Sequence, residues 1–478
     1  MLFNTFDFLW MFPIIFFAYY LCIECRENKM SHLGNIFLLI VSYGLYMKQK
    51  PVYALILLWV TIITFISAKL IESRRNNNLG GAKNLLMISL LLTFSPLFLF
   101  KYYNFVNDTL SDMLGMIGVT TGLPGLNWVM PLGLSFFTLQ AVGYLADVYL
   151  HKIKAERNLW HYMLFVSFFP QIASGPISKA ADLLPQIKKE RQFEYAQCVE
   201  GLRWLLWGMF MKVVMADRVG ILVNTIFDYY EHQSGLSLLI GSILYTFQIY
   251  GDFAGYSFMA VGVGKLLGFN LINNFERPYL SQSVTEFWHR WHISLSTWLK
   301  DYVYIPLGGS RCSKWRNYWN IFVTFFVSGI WHGANWTYLV WGMMHGVCQI
   351  IEKILGIHKK ISRGVVKCTR ILITFIIVNF AWIFFRMPTL ADAMNVICKI
   401  FSDSSMTLPI ESPSVLLLIL LSLIIVAVKD LTDELLPRQC QLLTHKNIIF
   451  RWGVYVVLLC VILTCGVFDA SQFIYVNF

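Results

Sequence analysis

Glu286-Phe-Trp-His289-Arg-Trp-His292-Ile-Ser-Leu-Ser296 and Ser328-Gly-Ile-Trp331-His332-Gly-Ala-Asn335-Trp336 set imidazoles, a guanidinium and a carboxylate among indole rings. Such groups are costly at membrane depth, and chains that keep them there use them. Their surroundings decide whether they lie at that depth. The 478-residue chain is 57% hydrophobic and 16% aromatic, and only 14% of it is charged, against about 25% in an average soluble domain. Apolar runs recur throughout, among them Phe6–Ile23, Gly34–Met47, Tyr53–Ala68, Leu85–Phe100, Val129–Leu150, Leu202–Met215, Leu236–Ile249, Ile371–Phe385, Val415–Val428 and Val454–Val467. A helix crosses the hydrocarbon with roughly 20 residues, so the pattern predicts an all-α polytopic membrane protein with about eleven transmembrane helices.

The texture divides the chain. Residues 1–150 and 347–478 read as plain scaffold helices, and 160–346 as the working core of a single membrane domain. Within that core, Gly175-Pro176 breaks any helix, and residues 251–309, with Gly262, Gly264, Gly268, Pro278 and Pro306, predict short, tilted or re-entrant helices. Irregular backbone at membrane depth has to be buried in protein or line a cavity. The first apolar run has no preceding cation and no small-residue cleavage site, so it reads as a retained helix instead of a cleaved signal.

The net charge is +11. Its cations lie in loops: Arg26 and Lys29 after the first run, Lys69, Arg74, Arg75 and Lys83 after the third, Lys152, Lys154 and Arg157 after the fifth. By the positive-inside rule these loops are cytoplasmic and the N-terminus faces outward, with Lys48 and Lys50 against the trend. Scattered basic loops fit anionic lipid and exclude a nucleic-acid-binding face. Of ten cysteines, Cys22 and Cys25 have redox or zinc spacing, but with no second pair they read as structural.

His332 ends an apolar run, with Gly333 permitting close backbone approach and Trp331, Asn335 and Trp336 supplying walls and an orienting amide. A neutral imidazole there could take a proton from a hydroxyl; the plainer alternative is a core histidine satisfied by a backbone carbonyl. On one continuous helix Glu286, His289 and His292 would share a face. That spacing suggests metal, although no second box of the kind found in di-iron bundles accompanies it. Asp252, between Gly251 and Gly255, reads as a helix-packing site whose carboxylate pairs with Arg277 or Arg290. Arg277, Arg290, Lys300 and Arg311 could alternatively hold the phosphates of an anionic donor.

Beyond these chemical patterns, Tyr245-Thr-Phe-Gln-Ile-Tyr-Gly-Asp252-Phe-Ala-Gly-Tyr256, Asn274-Phe-Glu-Arg277-Pro-Tyr, the run from Glu286 through Trp288, His292 and Tyr304-Ile-Pro-Leu-Gly-Gly309, and Trp331-His-Gly-Ala-Asn335-Trp336 resemble the membrane-bound O-acyltransferase (MBOAT) superfamily. Within it they look like the bacterial alginate O-acetylation (AlgI-like) branch. Met1-Leu-Phe-Asn, Gly175-Pro-Ile, Leu184-Pro-Gln-Ile and Phe473-Ile-Tyr extend the likeness to both ends. The resemblance implies a ring of helices around a central funnel and transfer of an acyl group to a hydroxyl. It places His332 at the family's near-universal histidine and His292 at its upstream polar position. His289 stands where that branch commonly has arginine. The implied site includes Asn335, Trp331, Trp336, Asp252, Arg277, Glu286, Trp288 and Arg290, with no metal and no tightly bound cofactor. The implied donor is acetyl-coenzyme A or an acyl carrier protein. The implied partners are the bilayer of a bacterial cytoplasmic membrane and an extracytoplasmic SGNH-type acetyltransferase. D-alanyl transfer to teichoic acids (DltB-like) and a transporter or flippase with a histidine proton relay are the competing readings.

Overall fold

The computed structural model describes residues 3–24, 33–75, 79–119, 124–357, 362–405, 407 and 412–468. They form helices and loops, with no strand among them. Cys25, Arg26, Lys29, Met1 and the Phe473-Ile-Tyr stretch lie outside the described residues. In a bilayer every backbone polar group has to be satisfied within its own segment, which is why apolar runs of this length become helices.

Seven described helices are long and apolar enough to span: Phe6–Ile23, Tyr53–Arg75, Gly80–Gly115, Gly235–Leu266, Gly364–Arg386, Pro413–Leu435 and Ile448–Cys465. The expectation of about eleven counted central runs on apolar length alone. Two of these runs, Val129–Leu150 and Leu202–Met215, fall on the helix Leu134–Tyr149 and on the end of Tyr195–Met209 with the π-helical turn Phe210–Ala216, none of which is among the seven. The chain is a multi-pass membrane protein. Its spans differ in depth: Pro413–Leu435 and Ile448–Cys465 are only 17% and 11% buried by the protein, whereas Gly235–Leu266 is 72% buried. The first two present leucines and valines outward as lipid-facing surface, and the third is the central post.

That post corrects one expectation. Gly251, Asp252 and Gly255 do not interrupt it, because Gly235–Leu266 is continuous for 32 residues. Its glycines admit a neighbour instead. A methyl on Gly208 of the Tyr195–Met209 helix would come within 2.5 Å of the Gly255 carbonyl, and one on Gly201 within 2.8 Å of the Gly262 carbonyl. Small residues let two helix backbones touch where lipid offers no hydrophobic drive. The predicted short helices do follow, at Val284–Arg290 and Ile293–Leu299, with a π-helical turn at Lys300–Tyr304. Around Gly175 the chain likewise breaks into Leu159–Ser167, Phe169–Ile172 and Ala180–Lys188.

One side of the molecule is basic and laced with ion pairs. Lys69 reaches the Arg157 carbonyl, Arg157 pairs with Glu72, Lys188 with Glu156 at 2.6 Å, and Lys179 with Asp301 at 2.5 Å. These contacts bring the C-terminal end of the Tyr53–Arg75 helix and the loop after the Leu134–Tyr149 helix to the same side as the Lys300–Tyr304 turn.

Candidate active site

The helix carrying His332 starts on that basic side. Asn317, in its first turn, donates to the Tyr304 hydroxyl at 2.6 Å and to the Gly309 carbonyl at 2.7 Å. The helix runs Lys314–His332, 19 residues, and a rise of about 1.5 Å per residue carries His332 about 28 Å to the opposite end. It stops at Gly333, where a methyl would lie 2.1 Å from the Tyr338 ring. The glycine is needed for space, since its extended backbone would suit any residue.

The last carbonyls of a helix have no partners within it. Here Lys101 donates to the Trp331 carbonyl at 2.6 Å and the Tyr102 hydroxyl to the Ile330 carbonyl at 3.0 Å. Both donors sit on a π-helical turn, Phe98–Tyr102, within the Gly80–Gly115 span. Such turns occur frequently at functional sites. Sequence reading passed over Lys101, although a lone cation in an apolar run is itself a signal.

His332 is buried, its ring centroid 4.8 Å from both Trp331 and Trp341 and 5.3 Å from Phe385. Trp331 packs against this ring and connects it to His292, whose ring lies 5.7 Å from the indole. Phe136, which also meets Trp331 at 5.5 Å, and Phe253 flank His292 at 6.2 and 4.6 Å. Thus the two signature stretches meet at one aromatic chamber.

The geometry that brings His292 there overturns the shared-face expectation. The Val284–Arg290 helix ends, Trp291 is extended, and His292 takes a left-handed backbone (φ 44°) before the next helix begins. A non-glycine residue in that region costs of order 1–3 kcal/mol and persists only when its surroundings impose it. Asn274 does so: its carbonyl accepts from the Ile293 N–H and its side chain from the Ser294 N–H, each at 3.0 Å. His289 remains on the earlier helix and lines a separate cavity. Glu286, His289 and His292 therefore do not converge, and no group of three metal-ligating side chains occurs among the described residues.

Other expected site residues have structural tasks. Asp252 does not pair with Arg277 or Arg290. Lys212 bridges it to Asp217, 2.5 Å from each carboxylate, and all three side chains are buried. Arg277 and Arg290 instead share Glu434, at 2.8 and 3.1 Å, and Arg290 also pairs with Glu286 at 2.7 Å. Asn335 caps the Trp336–Ile354 helix through the Thr337 N–H and donates to the Pro388 carbonyl at 2.7 Å. No bond from it to His332 is seen. Trp336 is half exposed and edges onto Phe105, away from the chamber.

Trp288 and Phe325 border both the aromatic interior and a cavity of about 330 Å³ on the basic side. Polar groups at this cavity include His289, Lys300, Tyr304, Gln349 and Lys353. Several buried polar atoms at the cavity and chamber make no hydrogen bond among the described residues: both ring nitrogens of His292 and His345, Ser328 Oγ, and the indole nitrogens of Trp288, Trp331 and Trp341. Buried polar groups are paired in the great majority of cases, so a cluster of exceptions calls for an explanation, such as a ligand or ordered water.

An enclosed aromatic chamber holding two imidazoles, set inside a helical membrane protein, is suited to acid–base chemistry shielded from bulk water. Residues 54–391 match the model of the MBOAT, membrane-bound O-acyltransferase family. The chain belongs to that family and is an O-acyltransferase. It is 36% identical over 408 residues to the probable alginate O-acetylase AlgI of Pseudomonas aeruginosa, covering 84% of this chain and 75% of that one. It is 33% identical over 426 residues to the peptidoglycan O-acetyltransferase of Helicobacter pylori, covering 83% and 79%. The teichoic acid D-alanyltransferase of Bacillus subtilis is 28% identical over 336 residues, covering 67% and 80%.

Proposed function

We propose that this O-acyltransferase moves an acetyl group from a cytoplasmic thioester, acetyl-coenzyme A, to a hydroxyl of an exported polysaccharide or of an extracytoplasmic SGNH-type partner transferase. The observation that carries the reading is the position of His332. It sits at the end of its helix, in an aromatic chamber shared with His292, remote from the basic side that holds the cavity. The relatives named as O-acetylases favour acetyl as the group.

In this reading the basic side faces the cytoplasm of a bacterial inner membrane. Lys300 and Lys353 meet the donor at the cavity, whereas Arg277 and Arg290 are committed to Glu434. His332 accepts the proton of the acceptor hydroxyl as its oxygen attacks the thioester carbonyl, a contribution of about 10²- to 10⁴-fold. An N–H of His292 and the Trp331 indole N–H, neither bonded within the protein, meet the negative charge that develops on the carbonyl oxygen. The aromatic walls keep water from competing for the acyl group.

The test is alkali-labile acetate on the exported polymers of the native host, compared between wild type, His332→Ala and His292→Ala at matched membrane abundance. Loss of ester acetate in His332→Ala supports the reading. Unchanged acetate overturns it, and ester-linked D-alanine in its place selects the alternative favoured by the D-alanyltransferase relative. Full acetylation in His292→Ala removes the role given to that residue.

A further inference from the structure

The mechanism above leaves the buried imidazole of His345 unused. His345 is 1% exposed, and neither ring nitrogen finds a hydrogen-bond partner among the described residues. Its rings of contact are aromatic: Trp341 at 5.0 Å, Trp288 at 5.2 Å and Phe325 at 6.4 Å. Leaving a buried donor or acceptor unsatisfied costs about 1–3 kcal/mol, and a phenylalanine would fill the same cage without that cost.

Its place along the site gives the cost a purpose. On the Trp336–Ile354 helix, Trp341, His345, Gln349 and Lys353 recur every four residues and so lie along one face. Gln349 and Lys353 line the cavity at one end of that row, and Trp341 touches His332 at the other. The facing Lys314–His332 helix repeats the order, with Phe325 at the cavity, then Ser328, then His332. The helices pack closely enough that a methyl on Gly342 would reach within 2.4 Å of the Phe325 carbonyl. His345 is therefore the imidazole met between the cavity and His332, immediately behind the Trp288 and Phe325 wall.

We infer that His345 is a further catalytic residue, the hydrogen-bond donor to the leaving sulfur of the thioester. The inference rests on the acyl-thioester reading above. As the acceptor oxygen bonds to the acyl carbon and its proton passes to His332, the carbon–sulfur bond breaks and its electron pair stays on sulfur. The N–H of neutral His345 meets that growing thiolate charge. The thiolate departs toward the cavity, and the proton left on His332 is released afterwards, so a thiol and a neutral imidazole are restored in sum.

The experiment uses inside-out membrane vesicles bearing the full chain and its native acceptors. Radiolabelled acetyl is supplied either as the coenzyme A thioester or as the S-phenyl thioester, and alkali-labile label is counted above a His332→Ala background. An aryl thiolate leaves with little help and an alkyl thiolate needs more. His345→Phe should therefore lower transfer from acetyl-coenzyme A about 10²-fold, the scale for loss of one charge-stabilising donor, and transfer from the S-phenyl donor far less. His345→Gln, which keeps an N–H donor, should recover part of the loss. Equal losses with both donors would make His345 a packing residue and overturn the inference, as would no loss with either. Failure of the unmutated protein to transfer label from either thioester would overturn the underlying reading instead.

Discussion

Two of the buried polar centres among the described residues are built on opposite principles. At Lys212, Asp217 and Asp252 one ammonium lies 2.5 Å from each of two carboxylates, so both acids find a cation within the chain. Around His292, His332 and His345, the ring nitrogens of His292 and His345, Ser328 Oγ and several indole N–H groups find no such match among the described residues. Both centres are equally cut off from solvent. The difference lies in who satisfies them. A network tied by ion pairs within the chain, even with one Asp217 oxygen left over, holds helices together, and one without such pairs is available to something that arrives.

Mutation should separate the two by readout. Chamber variants such as His332→Ala should abolish acetylation at undiminished abundance. The triad should show the reverse. Lys212→Met leaves two carboxylates buried without their cation, and breaking a buried ion pair from one side costs about 3–5 kcal/mol. The expected outcome is loss of folded protein, measured as thermal stability in detergent. Partial rescue is expected when Asp217→Asn and Asp252→Asn are added. A Lys212→Met protein of normal stability that fails only in transfer would break the comparison and move the triad into the reaction.

Lys101 tests the boundary between the two kinds of centre. Its ammonium bonds the Trp331 carbonyl, one residue before His332, from a span otherwise read as scaffold. A hydrogen bond from a charged donor contributes about 1.5–3 kcal/mol. Lys101→Met should thus slow transfer by about tenfold through displacement of His332, since about 1.4 kcal/mol is a factor of ten in rate. Lys101→Gln, which keeps a donor, should lose less. Equal losses in stability and none in turnover per folded molecule would make Lys101 purely a helix cap.

The membrane class, the two signature stretches and the short central helices were legible because each is local. Apolar length, glycine and proline breaks, and imidazoles in apolar runs are all properties of a few consecutive residues. What was missed involves partners far apart in the chain. Asp252 meets Lys212 across 40 residues, and Arg277 meets Glu434 across 157; no local pattern encodes either choice. His289 and His292 misled for a related reason. Their spacing is helical, but the left-handed turn that separates them is imposed by Asn274, which belongs to another loop. Residues of the outer segments also reach the chamber, where Lys101, Phe136 and Phe385 border it.

Asn335 carries the smallest expected effect and the sharpest contrast between pattern and geometry. By sequence it stands three residues after His332 and could orient the imidazole. In the structure its side-chain oxygen accepts the Thr337 N–H and its amide donates to the Pro388 carbonyl. A cap of this kind contributes about 1 kcal/mol, and serine caps nearly as well as asparagine. Asn335→Ser should therefore keep the helix start and leave acetyl transfer within about twofold, while Asn335→Ala should lose about 1 kcal/mol of stability. If instead the serine variant lost transfer as heavily as His332→Ala while remaining folded, the amide would belong to the open centre. The division between the closed and open networks would then have to be redrawn at that helix cap.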